Sequence, residues 1–170
     1  MLSGVIIGIV EEFFFRGFIY TNVKKKLNVP VAIALTSLFY AMLHFFDNGQ
    51  IFISHHPNIG DCLRLLVGYL EPFTRPQDMM GEFVGLFLFG VVLNLAFNQT
   101  GSLFLPIGIH AGVVFAIKWQ ASFVRSGDNN DQYPWIAKNL FYDGQLEWVM
   151  LILLAFVVWF LAKRLKISPR

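Results

Sequence analysis

Five long apolar stretches constrain this 170-residue chain more than any other feature of its sequence. A helix that crosses a bilayer needs about 20 mostly apolar residues. The stretches are residues 2–23 (span A), 29–46 (span B), 79–97 (span C), 103–124 (span D) and 146–161 (span E). They predict an all-α fold, a polytopic membrane bundle of about five transmembrane helices. Because neither a repeat nor a linker interrupts the pattern, we expect one domain over residues 1–170.

The composition excludes several other classes of protein. Hydrophobic residues make up 56% of the chain and charged residues only 14%, whereas soluble domains carry about 25% charge. The single cysteine, Cys62, cannot form an intramolecular disulfide. A net charge of +2 that is scattered along the chain does not indicate a nucleic-acid binder. We therefore expect an integral membrane protein whose surroundings are the lipid bilayer.

The basic residues predict the orientation of the spans, because short cytoplasmic loops are rich in Lys and Arg. Three lysines at positions 24–26 lie between spans A and B, and the tail after span E carries four bases. Five spans place both segments on one side, so we expect a cytoplasmic C-terminus in a plasma (inner) membrane. Segments 47–78 and 125–145 then lie outside. Within the first of them, residues 62–70 predict a short helix at the membrane interface.

Ionisable side chains inside the spans mark candidate functional residues, because burying them in lipid is costly. Span A contains Glu11, Glu12 and Arg16. Glu12 and Arg16 are four residues apart, so they share a helix face and can pair. Glu11 lies about 100° further round the helix and has no such partner, which leaves its carboxylate available for proton transfer. The alternative is an ion pair that only joins two helices.

Two histidines lie in other spans at comparable depth. His44 ends span B and His110 lies in span D. At about 1.5 Å per residue, Glu12, His44 and His110 lie roughly 18, 22 and 12 Å from the ends of their spans, which is well inside a hydrocarbon layer of about 30 Å. A carboxylate and two imidazoles on three helices predict a buried site. Such a site either activates a water molecule or binds a metal such as zinc through Glu11, His44 and His110.

Three motifs in this order point to a known family. They are Glu-Glu-x-x-x-Arg at residues 11–16, an aromatic four residues before His44, and His110 after a Gly-Ser-Leu-x-x-Pro approach. Together they resemble the CPBP intramembrane protease family, which includes the type II CAAX prenyl endopeptidases and the abortive-infection domain. The resemblance runs from span A to span E. It implies a helical membrane protein that hydrolyses peptide bonds of membrane-associated peptides or proteins, with CAAX-type processing.

The resemblance also implies roles for individual residues. Glu11 would activate the attacking water, and His44 and His110 would bind that water or stabilise the oxyanion. Glu12 and Arg16 would form the pair that shapes the site and holds the substrate. We favour a glutamic-type mechanism that requires no cofactor, with zinc as the alternative.

The chain departs from the family pattern at three places. Tyr40 stands where the family usually has Phe, and Val114 stands where the better-studied members have Asn, four residues after His110. Asn94 in span C is a candidate substitute for that amide. Finally, only ten residues precede Glu11, whereas family members usually have further helices upstream, so we expect those helices to be lacking.

Two other functions compete with the protease. One is a non-catalytic membrane scaffold or immunity-type protein that retains the motif for structure, and Val114 favours it. The other is a small proton- or metal-coupled carrier, for which the sequence shows none of the internal repeats that transporters often have. Cleavage of peptides by the purified protein distinguishes the protease from both.

Overall fold

The computed structural model describes residues 2–46, 58–123 and 144–164, and within these ranges the chain is helical and contains no strand. The elements in chain order are α1 (Leu2–Glu12), a π-helical segment (Phe13–Tyr20), α2 (Thr21–Lys24), α3 (Val29–His44), α4 (Ile59–Gly68), a short 3₁₀ helix (Glu71–Thr74), α5 (Pro76–Thr100), α6 (Phe104–Phe123) and α7 (Gln145–Arg164). Each of the five predicted spans coincides with a helix, so the all-α prediction is confirmed. Most of the predicted outer segment 125–145 lies outside the described residues.

The first span is one unbroken helix that changes its winding in the middle. The π-helical segment follows α1 directly and continues into α2. At its end, the Thr21 hydroxyl donates to the Arg16 carbonyl oxygen at 2.9 Å, while the Thr21 N–H bonds to the Phe18 carbonyl. Wide turns of this kind occur mostly at functional sites. The sequence pattern did not predict this change of winding.

Local signals in the sequence fix the ends of several helices. The Asn28 side chain accepts a backbone N–H of the first turn of α3 at 3.0 Å, which is the usual role of an N-cap. Asn58 and Asp61 form a reciprocal capping box at the start of α4. Gly101 ends α5 with φ 63°, a left-handed conformation, and its N–H bonds to the Phe97 carbonyl at 2.8 Å. These caps set the lengths of the helices that carry the site.

Helix α5 lies at the centre of the bundle. It packs against α3, α6, α7 and the π-helical segment, while α1 packs against α6. The main buried cluster draws on the π-helical segment, α3 with its C-cap, α5 and α7, and consists of Phe15, Tyr40, Ala41, Phe45, Leu86, Phe89, Leu93 and Leu151. Because α5 contacts each of the other long helices except α1, its residues can reach side chains from most of the bundle.

The outer faces of the helices are apolar. Two helices, Met79–Thr100 and Gln145–Arg164, are long and apolar enough to cross a membrane, and Val29–His44 and Phe104–Lys118 are shorter apolar helices. On α7 the buried residues form one stripe, Glu147, Leu151, Val158 and Ala162, and most of its other apolar side chains are exposed. A helix that is hydrophobic all round is typical of a membrane span.

The short helix predicted at residues 62–70 is present and is displaced towards the N-terminus, since α4 covers Ile59–Gly68. Its start is set by the capping box, which lies upstream of the apolar run. Ile59, Leu63, Leu66 and Val67 lie on one helix face and are 58–81% exposed. This apolar face is consistent with the predicted interfacial position. Residues 47–57 of the predicted outer segment 47–78 lie outside the described residues.

Gly90 lets three elements meet at one point. A Cβ atom at this position would lie 3.1 Å from the Cα and Cβ atoms of Ser37 on α3. The Gly90 carbonyl also accepts a hydrogen bond from Arg16 Nη2 at 3.5 Å. The absence of a side chain therefore allows α3 and α5 to approach each other next to the Arg16 guanidinium.

We predict that Gly90→Ala lowers the free energy of unfolding by about 1–3 kcal/mol, because overpacking a tight contact forces backbone shifts. Gly108→Ala is the matched control, since nothing lies within 4 Å of a Cβ at Gly108 on α6. There the added methyl should be neutral or stabilise the helix by up to about 1 kcal/mol. Thermal unfolding in detergent compares the two variants. A Gly90→Ala protein as stable as Gly108→Ala would contradict this account of the packing.

Candidate active site

A buried ion pair lies at the centre of the site. Arg16 Nη1 donates to Glu12 Oε1 at 3.0 Å, and both side chains have no exposed surface. The guanidinium carbon of Arg16 lies 4.8 Å from the centre of the Tyr40 ring, a cation–π distance. The pair has the i, i+4 spacing that the sequence predicts. Through Tyr40 on α3 and the Gly90 carbonyl on α5 it links three elements.

His110 joins the pair from α6. Its Nδ1 atom lies 2.8 Å from Glu12 Oε1. Because an ionised carboxylate only accepts hydrogen bonds, Nδ1 carries the proton in this contact. Nε2 then faces Glu11, with 3.8 Å between Nε2 and Oε2, which is too long for a direct hydrogen bond. Gly8 lies beside the ring, since a Cβ there would be in ordinary van der Waals contact with the imidazole at 3.5 Å.

The two neighbouring glutamates have different surroundings. The Glu12 side chain is fully buried, whereas the Glu11 side chain is 27% exposed. The Oε2 atom is buried and unpaired in both residues within the described part of the chain, and the two differ in that Glu12 Oε1 bonds to Arg16 and His110. The sequence predicted this difference from the position of Arg16, which can pair with only one of them. Glu12 is therefore paired within the protein, and Glu11 has the more exposed side chain.

His44 is held in a similar way by its own helix. Its Nδ1 donates to the Tyr40 carbonyl oxygen at 2.9 Å, and its ring centre lies 4.4 Å from the centre of the Tyr40 ring. The Tyr40 ring thus contacts both the Arg16 guanidinium and the His44 imidazole. In both histidines Nδ1 thus bonds to an acceptor within the protein.

A metal ion could in principle use the same two nitrogen atoms, because zinc-binding histidines usually donate their second N–H to a carboxylate or a carbonyl. However, no three His, Cys, Asp or Glu side chains in the described ranges are grouped closely enough to hold one ion. The set Glu11, His44 and His110 therefore does not form a ready zinc site.

Asn94 does not replace the amide that the family carries at the position of Val114. Its Nδ2 atom donates to Thr36 Oγ1 and to Ser37 Oγ, at 2.9 Å each. Both amide hydrogens are thus used within the protein, and the residue is 1% exposed. The suggestion made from the sequence is wrong, because Asn94 faces α3 and joins it to α5. Val114 is half-buried and supplies no hydrogen-bond donor from its side chain.

Three contributors to the site were missed by the sequence interpretation. The Gly90 carbonyl accepts from Arg16, Gly8 lies beside the His110 ring, and Phe89 meets that ring edge-on with 5.5 Å between the ring centres. Glycines within apolar spans often mark close approaches between helices. The sequence shows such glycines but not which side chain each one meets.

One of the comparisons with known proteins identifies a family. The family model described as "Type II CAAX prenyl endopeptidase Rce1-like" matches residues 1–116. This is more than half of the chain, and it includes every site residue described above. The chain belongs to this family. The family is membrane-embedded and implies protease activity, while α7 lies beyond the matched region. No curated protein and no solved structure matches the chain.

We predict that Glu12→Ala and Arg16→Ala each lower the folded yield and the thermal stability. Removing one partner leaves the other charge buried and unpaired, which typically costs about 3–5 kcal/mol. The double variant Glu12→Leu/Arg16→Met removes both charges at similar volume. It should recover much of the stability while remaining inactive, because His110 loses its acceptor. Wild-type melting temperatures in both single variants would contradict the role of the pair.

Proposed function

We propose that the protein is an intramembrane endopeptidase of the glutamic type, with Glu11 as its general base. Its substrates would be membrane-associated peptides or proteins of the CAAX type, as the family suggests. One observation carries the assignment of the base. Glu11 is the more exposed of the two glutamates, with 27% of its side chain exposed, and none of its hydrogen-bonding capacity is taken by Arg16. Glu12, one residue further, is fully buried and its Oε1 atom bonds to both Arg16 and His110.

The proposed reaction begins with a water molecule held between Glu11 and the substrate carbonyl. Glu11 takes one proton from this water, and the oxygen attacks the carbonyl carbon to give a tetrahedral oxyanion. The carbon–nitrogen bond then breaks, and the leaving amine takes the proton. The products are a carboxylic acid and an amine. A positioned base of this kind typically contributes about 10²–10⁴ in rate.

The two histidines would serve the same steps through Nε2. His44 and His110 both use Nδ1 within the protein, so Nε2 is available to bind the water or, when protonated, to donate to the oxyanion. Donors fixed in advance in a site with little water stabilise a developing charge more than water does. His110 Nε2 is also 3.8 Å from Glu11 Oε2. At this separation His110 would help to pass the proton taken up by Glu11 to the leaving amine.

Glu12 and Arg16 would position His110 and would not hold the substrate. Neither side chain has exposed surface, so a substrate carboxylate has no access to the guanidinium. The Glu12 carboxylate fixes the ring orientation of His110, as the carboxylate does in many His-containing sites. Tyr40 plays a comparable part for His44 through its carbonyl and its ring.

We further propose that the reaction needs no cofactor and that the protein resides in the plasma membrane with its C-terminus in the cytoplasm. The first proposal rests on the role of Glu11 as a general base, which needs no metal. The second rests on the cluster of bases at positions 24–26 and in the C-terminal tail. The tail beyond Arg164 lies outside the described residues.

We predict that Glu11→Gln abolishes peptide cleavage and leaves the fold intact. The amide has nearly the same size as the carboxylate but cannot accept the proton, so the rate should fall by about 10²–10⁴. The assay presents a farnesylated CAAX peptide and its unprenylated twin to the purified protein and detects the products by mass spectrometry. It thereby also tests whether the lipid group is required.

Glu147→Gln is the matched control for this assay, since it makes the same chemical change at another buried glutamate, on α7. It should cleave at close to the wild-type rate. Unaltered cleavage by Glu11→Gln would remove Glu11 as the base. A folded wild-type protein that cleaves neither peptide would favour the scaffold function.

We also predict that cleavage survives removal of metals. Protein dialysed against a chelator and assayed in metal-free buffer should retain its activity within about twofold, because the general base needs no metal. The metal content of the same sample is measured by inductively coupled plasma mass spectrometry. Zinc bound in one-to-one ratio, together with activity that is lost on its removal and restored on its return, would show the metal alternative to be right.

A further inference from the structure

The charges of the chain are separated along the bundle. Segments 21–28 and 160–170 contain no Asp or Glu, although the chain has 11 acidic residues in all. These two segments contain seven of its 13 basic residues, namely Lys24, Lys25, Lys26, Lys163, Arg164, Lys166 and Arg170. A surface that contacts only water usually carries charges of both signs side by side. Separation of the basic residues from the acidic ones indicates a partner that carries negative charge.

The fold brings the basic ends of the helices to one side. Lys24 Nζ donates to Asn98 Oδ1 at 2.7 Å, which places the end of α2 beside the C-terminal end of α5. Leu151, in the second turn of α7, belongs to the same buried cluster as Leu86 and Leu93 of α5, so the two helices pack side by side. In the predicted order of spans α6 crosses back between them, which gives α7 the direction of α5 and puts its last turn at the same end as Lys24.

Aromatic rings accompany the bases at this end in a repeated arrangement. In the last turn of each of these two helical spans, a base follows an aromatic residue by four positions and lies over its ring. The pairs are Tyr20 with Lys24 at 6.0 Å, Trp159 with Lys163 at 5.1 Å, and Phe160 with Arg164 at 5.5 Å. Aromatic rings favour the level of the lipid headgroups, and long basic side chains extend beyond them into the polar layer.

We propose that this basic end, defined by Lys25, Lys26, Lys163 and Arg164, binds the headgroups of anionic phospholipids. All four side chains are exposed, whereas Lys24 is committed to Asn98. Clusters of bases next to a membrane span attract anionic lipids. The charge separation selects an anionic headgroup over a zwitterionic one, and the adjoining aromatic rings select a lipid over a soluble anion. The proposal is independent of peptidase activity.

Quenching of tryptophan fluorescence by brominated lipids tests this proposal on the complete chain, because Trp159 lies beside Lys163. The protein is reconstituted in phosphatidylcholine that contains either brominated phosphatidylglycerol or brominated phosphatidylcholine. We expect the affinity of the site for the anionic lipid to exceed that for phosphatidylcholine by roughly fivefold for each base that contacts the headgroup. The preference should fall sharply at 1 M salt, where the screening length is about 3 Å.

Two charge-matched variants complete the test. Lys25→Gln/Lys163→Gln should lose most of the preference, and Arg64→Gln/Lys118→Gln, which removes two bases located elsewhere, should keep it. Trp159→Phe should remove most of the selective quenching, since it removes the local reporter. Equal quenching of the wild type by the two lipids, or equal loss in both double variants, would overturn the proposal. If a variant fails to fold, the salt dependence of the lipid preference of the wild type tests the proposal in its place.

Discussion

The buried ion pair of Glu12 and Arg16 is the interaction on which the site depends. Two charges without exposed surface lose their hydration, and only good geometry and further polar contacts compensate for that loss. Here those contacts come from His110 on α6, the Tyr40 ring on α3 and the Gly90 carbonyl on α5. The need to satisfy one guanidinium and one carboxylate in a low-dielectric interior therefore fixes the relative positions of four elements.

The same pair separates the roles of two adjacent glutamates. Glu12 is held by Arg16 and His110, while Glu11 remains partly exposed on the neighbouring side of the helix. In the proposed mechanism the structural carboxylate and the reactive one thus come from consecutive residues. The two histidines are held alike, since each Nδ1 bonds to an acceptor within the protein. The proposed mechanism uses the other nitrogen of each ring, Nε2.

Much of this arrangement could be predicted from the sequence, and the rest could not. Apolar runs locate the helices, and the four-residue spacing from Glu12 to Arg16 predicts their contact, because both depend only on local geometry. The π-helical winding, the choice of Ser37 as the neighbour of Gly90 and the hydrogen bonds of Asn94 depend on how helices meet. Asn94 is an example. Its depth in span C suggested a role in the site, but it lies on the face of α5 that packs against α3, where its amide bonds to Thr36 and Ser37.

Helix α7 illustrates how a family-defining site can depend on a segment outside the family pattern. The match ends at residue 116, and the glutamates, the arginine and both histidines lie before that point. Yet Leu151 on α7 is buried in the cluster that contains Phe15, Tyr40 and Phe89, the rings that surround Arg16 and His110. Because these rings hold the charged groups in place only while they are themselves packed, α7 contributes to the site by covering α5, without adding a reactive group to it.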